Sequence, residues 1–171
     1  METNALPTYD TSDNPTGCCP RFDPEGWDRR HLHFDRKPFV CARTRSLFHV
    51  PLNMGTVFER TFEAIESAGA SDPVEFIVLS QDESSTVGRH LFSVTKPVPG
   101  QEMVELTGDF ETRVFEGPYK RAKAWHEELR QEAERKGGAP DQIYFFYTTC
   151  PKCAKTYGKN YVVGVFEISV G

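Results

Sequence analysis

Cysteines carry the most specific chemistry in this sequence. Cys150 and Cys153 form the chain's Cys-x-x-Cys, and Cys18 and Cys19 stand side by side in the segment Cys-Cys-Pro-Arg-Phe-Asp-Pro. A Cys-x-x-Cys is half of a tetrahedral zinc site, and the Cys18-Cys19 pair could supply the other half across the fold. The four cysteines are therefore candidate ligands of a possible structural zinc. Thiols of no special role are the alternative interpretation.

Two other interpretations of the cysteines depend on their neighbours. Adjacent cysteines seldom both bind one metal, so His31 or His33 could complete a mixed site instead. Redox activity is disfavoured, because a thioredoxin-type motif opens a helix after a strand. In this sequence Lys155 to Asn160 is predicted to be a loop.

Composition excludes several classes of function. The chain has 171 residues, is 38% apolar and carries a net charge of −5, so it can fill a core but offers no basic surface for nucleic acid. No apolar run has the roughly 20 residues of a membrane span, and the N-terminus lacks the features of a signal peptide. We therefore predict a cytoplasmic protein that binds neither nucleic acid nor membrane and is a monomer or homodimer. No phosphate-binding glycine motif and no G-x-S-x-G elbow occurs, so no cofactor is predicted beyond the structural zinc.

Hydrophobic patterning predicts one domain preceded by two other segments. Residues 1–17 are polar and are predicted to be a flexible lead-in, and residues 18–36 form an ordered loop rich in Cys, Pro and aromatic residues. The domain then covers residues 37–171, as repeat one (about 37–100) and repeat two (about 101–171). Each repeat has the order strand, helix, strand, strand. The predicted elements are residues 37–50, 51–68, 74–80, 90–98, 103–106 with 110–116, 119–136, 144–149 and 160–170, and Gly108 is predicted to be a possible break or bulge in the fifth of them.

This order predicts an α+β fold. The two strand-helix-strand-strand repeats would form a mostly antiparallel sheet with both helices on one side. The other side of the sheet would be a concave ligand cleft, a place where domains of this class often hold a small molecule.

Two sequence motifs resemble a known family. Residues 108–119, Gly-Asp-Phe-Glu-Thr-Arg-Val-Phe-Glu-Gly-Pro-Tyr, precede an amphipathic helix, as in the second repeat of the GyrI-like small-molecule-binding domains. Residues 147–151, Tyr-Thr-Thr-Cys-Pro, resemble a strand end of that family. The resemblance covers roughly residues 37–171 and implies binding of lipophilic small molecules. The two cysteine segments are similar to a stand-alone subgroup that we associate with hydrolases.

The sequence departs from that family at one position. Members often carry a glutamate two residues before the strand tyrosine, where it faces a cationic ligand, but this chain has Phe145 there. A functional carboxylate must therefore come from elsewhere. The candidates are Glu75, Glu116 and Glu167, each on a predicted strand or strand end.

A carboxylate and a phenol in an apolar pocket can perform acid–base chemistry. A buried glutamate becomes a usable base for water, and a tyrosine hydroxyl can donate to a developing oxyanion. Alternation along the last strand directs Glu167 into the predicted cleft, so Glu167 with Tyr147 is the favoured base and donor pair. The alternative is an exposed edge-strand charge beside a half-buried core tyrosine. Glu116 could simply favour the N-terminus of the helix that follows it.

Aromatic residues are predicted to form the walls of the cleft. The candidate ligand-binding residues are Phe145, Tyr119, Trp125, Tyr161, Trp27 and Phe110. Both tryptophans have an alternative role as anchors of the core or of a loop.

The favoured function is hydrolytic detoxification of a lipophilic, electrophilic small molecule. The carboxylate would act as general base and the tyrosine as hydrogen-bond donor. A non-catalytic module that binds or sequesters such compounds is the first alternative. A zinc-stabilised interaction domain is the second.

Overall fold

Seven strands and three helices make up the computed structural model, which describes residues 2–48 and 50–170. The strands are β1 (His31–Leu47), β2 (Val50–Pro51), β3 (Val78–Asp82), β4 (Val87–Ser93), β5 (Glu102–Glu116), β6 (Ile143–Tyr147) and β7 (Tyr161–Ile168). The helices are α1 (Met54–Ser67), α2 (Ala122–Arg135) and α3 (Pro151–Tyr157). Three positions of the predicted segments lie outside the described residues. They are residue 1 of the lead-in, residue 49 of the first predicted strand and residue 171 of the domain.

Six of these strands close into an antiparallel barrel. Their order is β1-β4-β3-β6-β7-β5, and β5 pairs back onto β1, while the short β2 adds to the end of β1. The predicted α+β sheet with helices on one side and an open concave cleft is therefore wrong. The two edges that such an open sheet would have, β1 and β5, pair with each other and close the barrel.

Two long strands explain the closure. β1 has 17 residues and β5 has 15, so each pairs with a neighbour on both sides. β1 also carries a bulge between Phe34 and Lys37, and a bulge increases the local twist and bend of a strand. Gly108, predicted to be a possible break, lies within β5 at a φ of 144° and leaves the strand continuous. Long, coiled strands bring the two sheet edges together.

The barrel interior is filled with side chains. The interior includes Phe34, Phe39, Leu91, Phe146 and Val165, all of them buried. Burying a large apolar side chain contributes about 1.5–3 kcal/mol, so these residues account for much of the stability of the fold. A smaller cluster outside the barrel packs α2 on β5, β6 and β7.

The N-terminal segment packs into the same core. Leu6 and Tyr9, in the predicted lead-in, are only 5% and 8% exposed. Trp27 is fully buried, and its indole Nε1 donates a hydrogen bond to the Thr8 carbonyl at 3.2 Å. The backbone N–H of Tyr9 donates to the Val74 carbonyl at 2.7 Å. Residues 2–30 therefore cover the barrel and help to fill it.

The described helices agree largely with the sequence pattern. The predicted helices 51–68 and 119–136 are confirmed as α1 and α2, the latter after a 3-10 turn at Tyr119–Arg121. Across residues 2–48 and 50–170, no helix combines the length and the apolarity that crossing a bilayer requires. The compartment stays a prediction.

Candidate functional site

A cavity of about 280 Å³ lies where the N-terminal segment meets the barrel. It is lined by Asn4, Lys37, Pro38, Asp72, Glu75, Ser93, Val94 and Thr95. It combines a lysine, two carboxylates and a buried hydroxyl with two apolar side chains. Cavities that bring ionisable and polar groups together in this way are candidate active sites.

Lys37 is the unusual group in this cavity. The bulge in β1 precedes Lys37 and sets the direction of its side chain, which is only 8% exposed. The ammonium donates a hydrogen bond to the Asn4 carbonyl at 2.8 Å and lies 5.7 Å from the centre of the Phe34 ring. Burial lowers the pKa of Lys37, and the charges of Glu75 and Asp72 oppose that shift.

The two carboxylates of the cavity have different surroundings. Asp72 Oδ1 accepts the backbone N–H groups of Val74 and Glu75, each at 2.9 Å, and these bonds lower the pKa of Asp72. The Glu75 carboxylate, in contrast, forms no hydrogen bond and no ion pair with any residue in 2–48 or 50–170. Asp72 is thus committed to shaping the turn, whereas the Glu75 carboxylate has no such partner among the described residues.

Ser93 supplies a buried hydroxyl to the same cavity. Its Oγ accepts the Ile77 backbone N–H at 3.0 Å, which leaves the hydroxyl proton available to a ligand. Neither Ser93 nor Lys37 follows a sequence motif. The sequence offered no signal for Lys37, because β1 carries several other charged residues, and the inward direction of Lys37 depends on the bulge.

The structure separates the favoured pair Glu167 and Tyr147. Tyr147 lies opposite Val162 in the β6–β7 ladder, and Glu167 is five positions further along β7. At about 3.3 Å per residue the two are roughly 16 Å apart, and strand alternation puts them on opposite faces. Tyr147 is 42% exposed and lies beside Tyr119, at a ring distance of 6.1 Å. Glu116, the last residue of β5, is exposed and is also remote from the cavity.

The aromatic candidates lie in the core rather than in one cleft. Trp27 and Phe110 are buried in the barrel cluster, and Tyr161 packs against Phe22 at a ring distance of 6.1 Å. Trp125 stacks on Phe115 at 5.5 Å in the outer cluster. Phe145 and Tyr119 lie in that outer cluster too, and the Tyr119 hydroxyl donates to the Thr149 carbonyl. Their roles in ligand binding stay predictions.

The four predicted metal ligands come together at one place. The sulfur atoms of Cys18, Cys19, Cys150 and Cys153 all lie within 4.8 Å of one another. The hydrogen bond with Thr16, together with contacts to Cys150 and Cys19, lowers the pKa of Cys153 to about 7. Burial raises the pKa of Cys19 above its ordinary value. Neither His31 nor His33 belongs to this cluster, because both bond to Asp109, at 2.8 and 2.9 Å.

The turn that holds Cys150 and Cys153 opens a helix. Cys150 is the N-cap of α3, Pro151 occupies its first turn, and Gly158 closes it at a φ of 74°. The predicted loop at Lys155 to Asn160 is therefore wrong over its first part. Proline at the start and glycine just past the end are the usual signals of a short helix. The strand-then-helix geometry removes one argument against redox activity, but the two additional thiols distinguish the site from a simple dithiol.

A buried Ser-His-Thr cluster was also missed by sequence reasoning. His90 Nδ1 lies 2.7 Å from Ser80 Oγ, and its Nε2 lies 2.9 Å from Thr44 Oγ1. This arrangement resembles a nucleophile, a base and an orienting group. However, all three side chains are buried and the Phe58 ring of α1 lies 5.0 Å from the imidazole. The cluster is better explained as polar groups that satisfy one another beneath α1.

A second cavity, of about 180 Å³, lies on the N-terminal segment. It is lined by Thr8, Tyr9, Asp10, Phe22, Asp23 and Glu25. It offers carboxylates but no lysine, arginine or histidine in its lining, as far as the described residues go, and so its chemistry is less complete than that of the Lys37 cavity.

Comparison with known families supplies the remaining finding. A family model described as "Bacterial hydrolase" matches residues 9–168, a range that includes both Lys37 and the four cysteines. No curated protein matches the chain.

Proposed function

Because the chain belongs to the bacterial hydrolase family, we propose that it is a hydrolase whose active site is the Lys37 cavity. The observation that carries the proposal is that the Glu75 carboxylate, which has no hydrogen-bond or ion-pair partner in residues 2–48 and 50–170, lines the same cavity as the buried Lys37 ammonium. The two cysteine segments are the sequence basis for a further proposal, that the chain is related to the stand-alone GyrI-like hydrolases. Of the three carboxylates considered from sequence, Glu75 is the one that lines this cavity.

Glu75 is the general base in this proposal. It would take a proton from water as the water oxygen attacks an electrophilic carbon of the substrate. Lys37 and Glu75, both among the described residues, line the cavity without forming an ion pair within 4 Å. Water and a reacting group can therefore lie between them. The proton on Glu75 then passes to the leaving group as the bond to carbon breaks.

Lys37 is the electrostatic partner in this proposal. One of its N–H groups is bonded to the Asn4 carbonyl, which orients the ammonium, and the other two can donate to an oxygen that gains negative charge. The Ser93 hydroxyl is a second donor. Lys37 and Ser93 thus act as the hydrogen-bond donors, the role that the sequence had suggested for Tyr147.

The substrate class follows from the lining of the cavity. Pro38 and Val94 add apolar surface beside the charged groups, which suits a lipophilic compound that carries one electrophilic carbon–oxygen group. Pockets for drug-sized ligands span about 300–1,000 Å³. A cavity of about 280 Å³ would therefore hold a small ester, lactone or epoxide, or the reactive end of a larger compound.

A non-catalytic binding module is the alternative that must be separated from the hydrolase. The test combines calorimetric titration with mass spectrometry of products, using a panel of small lipophilic esters, lactones and epoxides. Hydrolysis by the wild type, lost in Glu75→Gln and retained in the matched controls Glu116→Gln and Glu167→Gln, is the predicted result. Binding without turnover in the wild type would favour the binding module and refute the hydrolase.

A further inference from the structure

We propose that Cys18, Cys19, Cys150 and Cys153 bind one zinc ion as four thiolates, and that this ion fastens the N-terminal segment to α3. The inference goes beyond the proposed hydrolase and does not depend on it. It gives the N-terminal segment a specific attachment to the second half of the chain.

The spacing of the sulfur atoms fits one tetrahedral ion. Zinc–sulfur bonds of about 2.3 Å place neighbouring sulfurs of a tetrahedron about 3.8 Å apart. The Sγ atoms of Cys18 and Cys19 are 3.8 Å apart, and all four sulfurs lie within 4.8 Å of one another. Binding therefore requires shifts of less than about 1 Å, which thiol side chains can make by small rotations.

Local backbone geometry prepares the thiols for negative charge. The N–H of Cys153 donates to Cys150 Sγ at 3.4 Å, and the N–H of Cys150 donates to Cys19 Sγ at 3.4 Å. Thr16 Oγ1 lies 3.2 Å from Cys153 Sγ. Donors that surround metal-bound sulfur hold the ligands in place and tune the metal, as expected around a structural site.

The charge and burial of the site are also suitable. Four thiols that bind Zn²⁺ release four protons to solvent and leave a unit with a charge of about −2. Lys152 and Lys155 on α3 supply positive charge next to it. Cys18 is exposed whereas Cys153 is buried, so the ion can enter from solvent and is then held against the body of the protein.

Disulfides are the competing use of these thiols. Consecutive Cα atoms are about 3.8 Å apart, below the separation of about 4.4–6.8 Å that a disulfide prefers, so a Cys18–Cys19 bond is disfavoured. A Cys19–Cys150 bond with a second bond between Cys18 and Cys153 would also use all four thiols, but the structure has each of them as a free cysteine. A single ion accounts for all four thiols.

The ion would connect segments that are remote in sequence. Cys19 and Cys150 are 131 positions apart. Beside the cysteines, the Tyr157 hydroxyl donates to the Cys19 carbonyl at 2.5 Å and lies 3.0 Å from Thr16 Oγ1. Removing the metal should therefore loosen the cover formed by residues 2–30 before it affects the barrel strands.

The direct test is metal analysis of the full chain, purified without chelator and then incubated under reducing conditions with zinc and desalted. We expect about one zinc per chain, four sulfur neighbours at about 2.3 Å by X-ray absorption, and five free thiols after denaturation. Less than half an equivalent of zinc, a mixed oxygen or nitrogen shell, or three or fewer free thiols after purification would overturn the proposal.

A matched control uses the fifth cysteine. Cys150→Ser should weaken zinc binding at least tenfold, whereas Cys41→Ser, at a buried position of β1 outside the cluster, should leave one zinc bound. If Cys150→Ser fails to fold, chelation of the wild type replaces it. Hydrogen exchange should then rise in residues 2–30 and in α3 and stay unchanged in β1 and β4. Unchanged exchange after complete zinc removal would contradict the fastening role.

Discussion

The ammonium of Lys37 donates a hydrogen bond to the backbone carbonyl of Asn4 at 2.8 Å. The Asn4 side chain in turn accepts the Asp35 N–H at 2.8 Å and donates to the Asp35 carbonyl at 3.1 Å. The N-terminal segment is therefore attached to β1 at the bulge that directs Lys37. The segment and the strand together build the cavity that we propose as the active site.

Lys37 gives the proposed reaction a characteristic pH dependence. Burial lowers the pKa of Lys37, so its positive charge is lost at a lower pH than the ordinary lysine value of about 10.4. We predict that kcat/KM falls as the pH rises, and that the fall begins below about pH 10.4, because Lys37 then loses the proton that makes it a charged donor. Lys37→Met should lower kcat/KM by about 10²–10³-fold and abolish the alkaline fall. An unchanged alkaline limb in Lys37→Met would show that another group titrates.

The N-terminal cover should contribute strongly to stability. Tyr9 packs against the rings of Phe22, Phe76 and Phe146, with ring centres 5.9–6.3 Å apart. Tyr9→Ala should lower the free energy of unfolding by about 3 kcal/mol, the usual cost of deleting a buried aromatic ring. Tyr9→Phe is the matched control and should change it by less than about 0.5 kcal/mol. Urea denaturation measures both, and equal stability of the wild type and Tyr9→Ala would mean that the cover is not part of the cooperative fold.

Buried His90 should make stability depend on pH between about 6.5 and 4. Burial lowers its pKa to about 4, with the charge of Asp82 opposing the shift. In this window the unfolded chain binds a proton and the folded chain does not, so the free energy of unfolding decreases as the pH falls. The difference corresponds to about 3 kcal/mol. Denaturation of the wild type and of His90→Gln across this range should show a flatter dependence in the variant, and parallel curves would refute the assignment.

Periodic patterns predicted the local elements because those elements depend on nearby residues. Helices α1 and α2 follow from apolar residues at helical spacing, ended by Gly69 and by Gly137. Barrel closure could not be predicted in the same way. It depends on pairing between β1 and β5, about 70 residues apart, and on a bulge that no residue type specifies.

In the candidate site, too, features that depend on nearby residues could be predicted, and features that depend on distant segments could not. The four cysteines could be named from their spacing, but their convergence depends on α3 and on a loop at the other end of the chain. Glu75 could be named as one carboxylate of three. Lys37 could not, since its burial and direction exist only after the N-terminal segment has folded onto β1.

The measurement that tests the central claim most directly is the turnover of one hydrolysed substrate by the wild type and by Glu75→Gln, with binding measured in parallel. Glu75→Gln keeps the size and polarity of the side chain but cannot accept a proton from water. We predict a loss of about 10²–10⁴-fold in kcat with a dissociation constant within about tenfold of the wild type. Turnover by Glu75→Gln equal to that of the wild type would contradict the assignment of the Lys37 cavity as the active site.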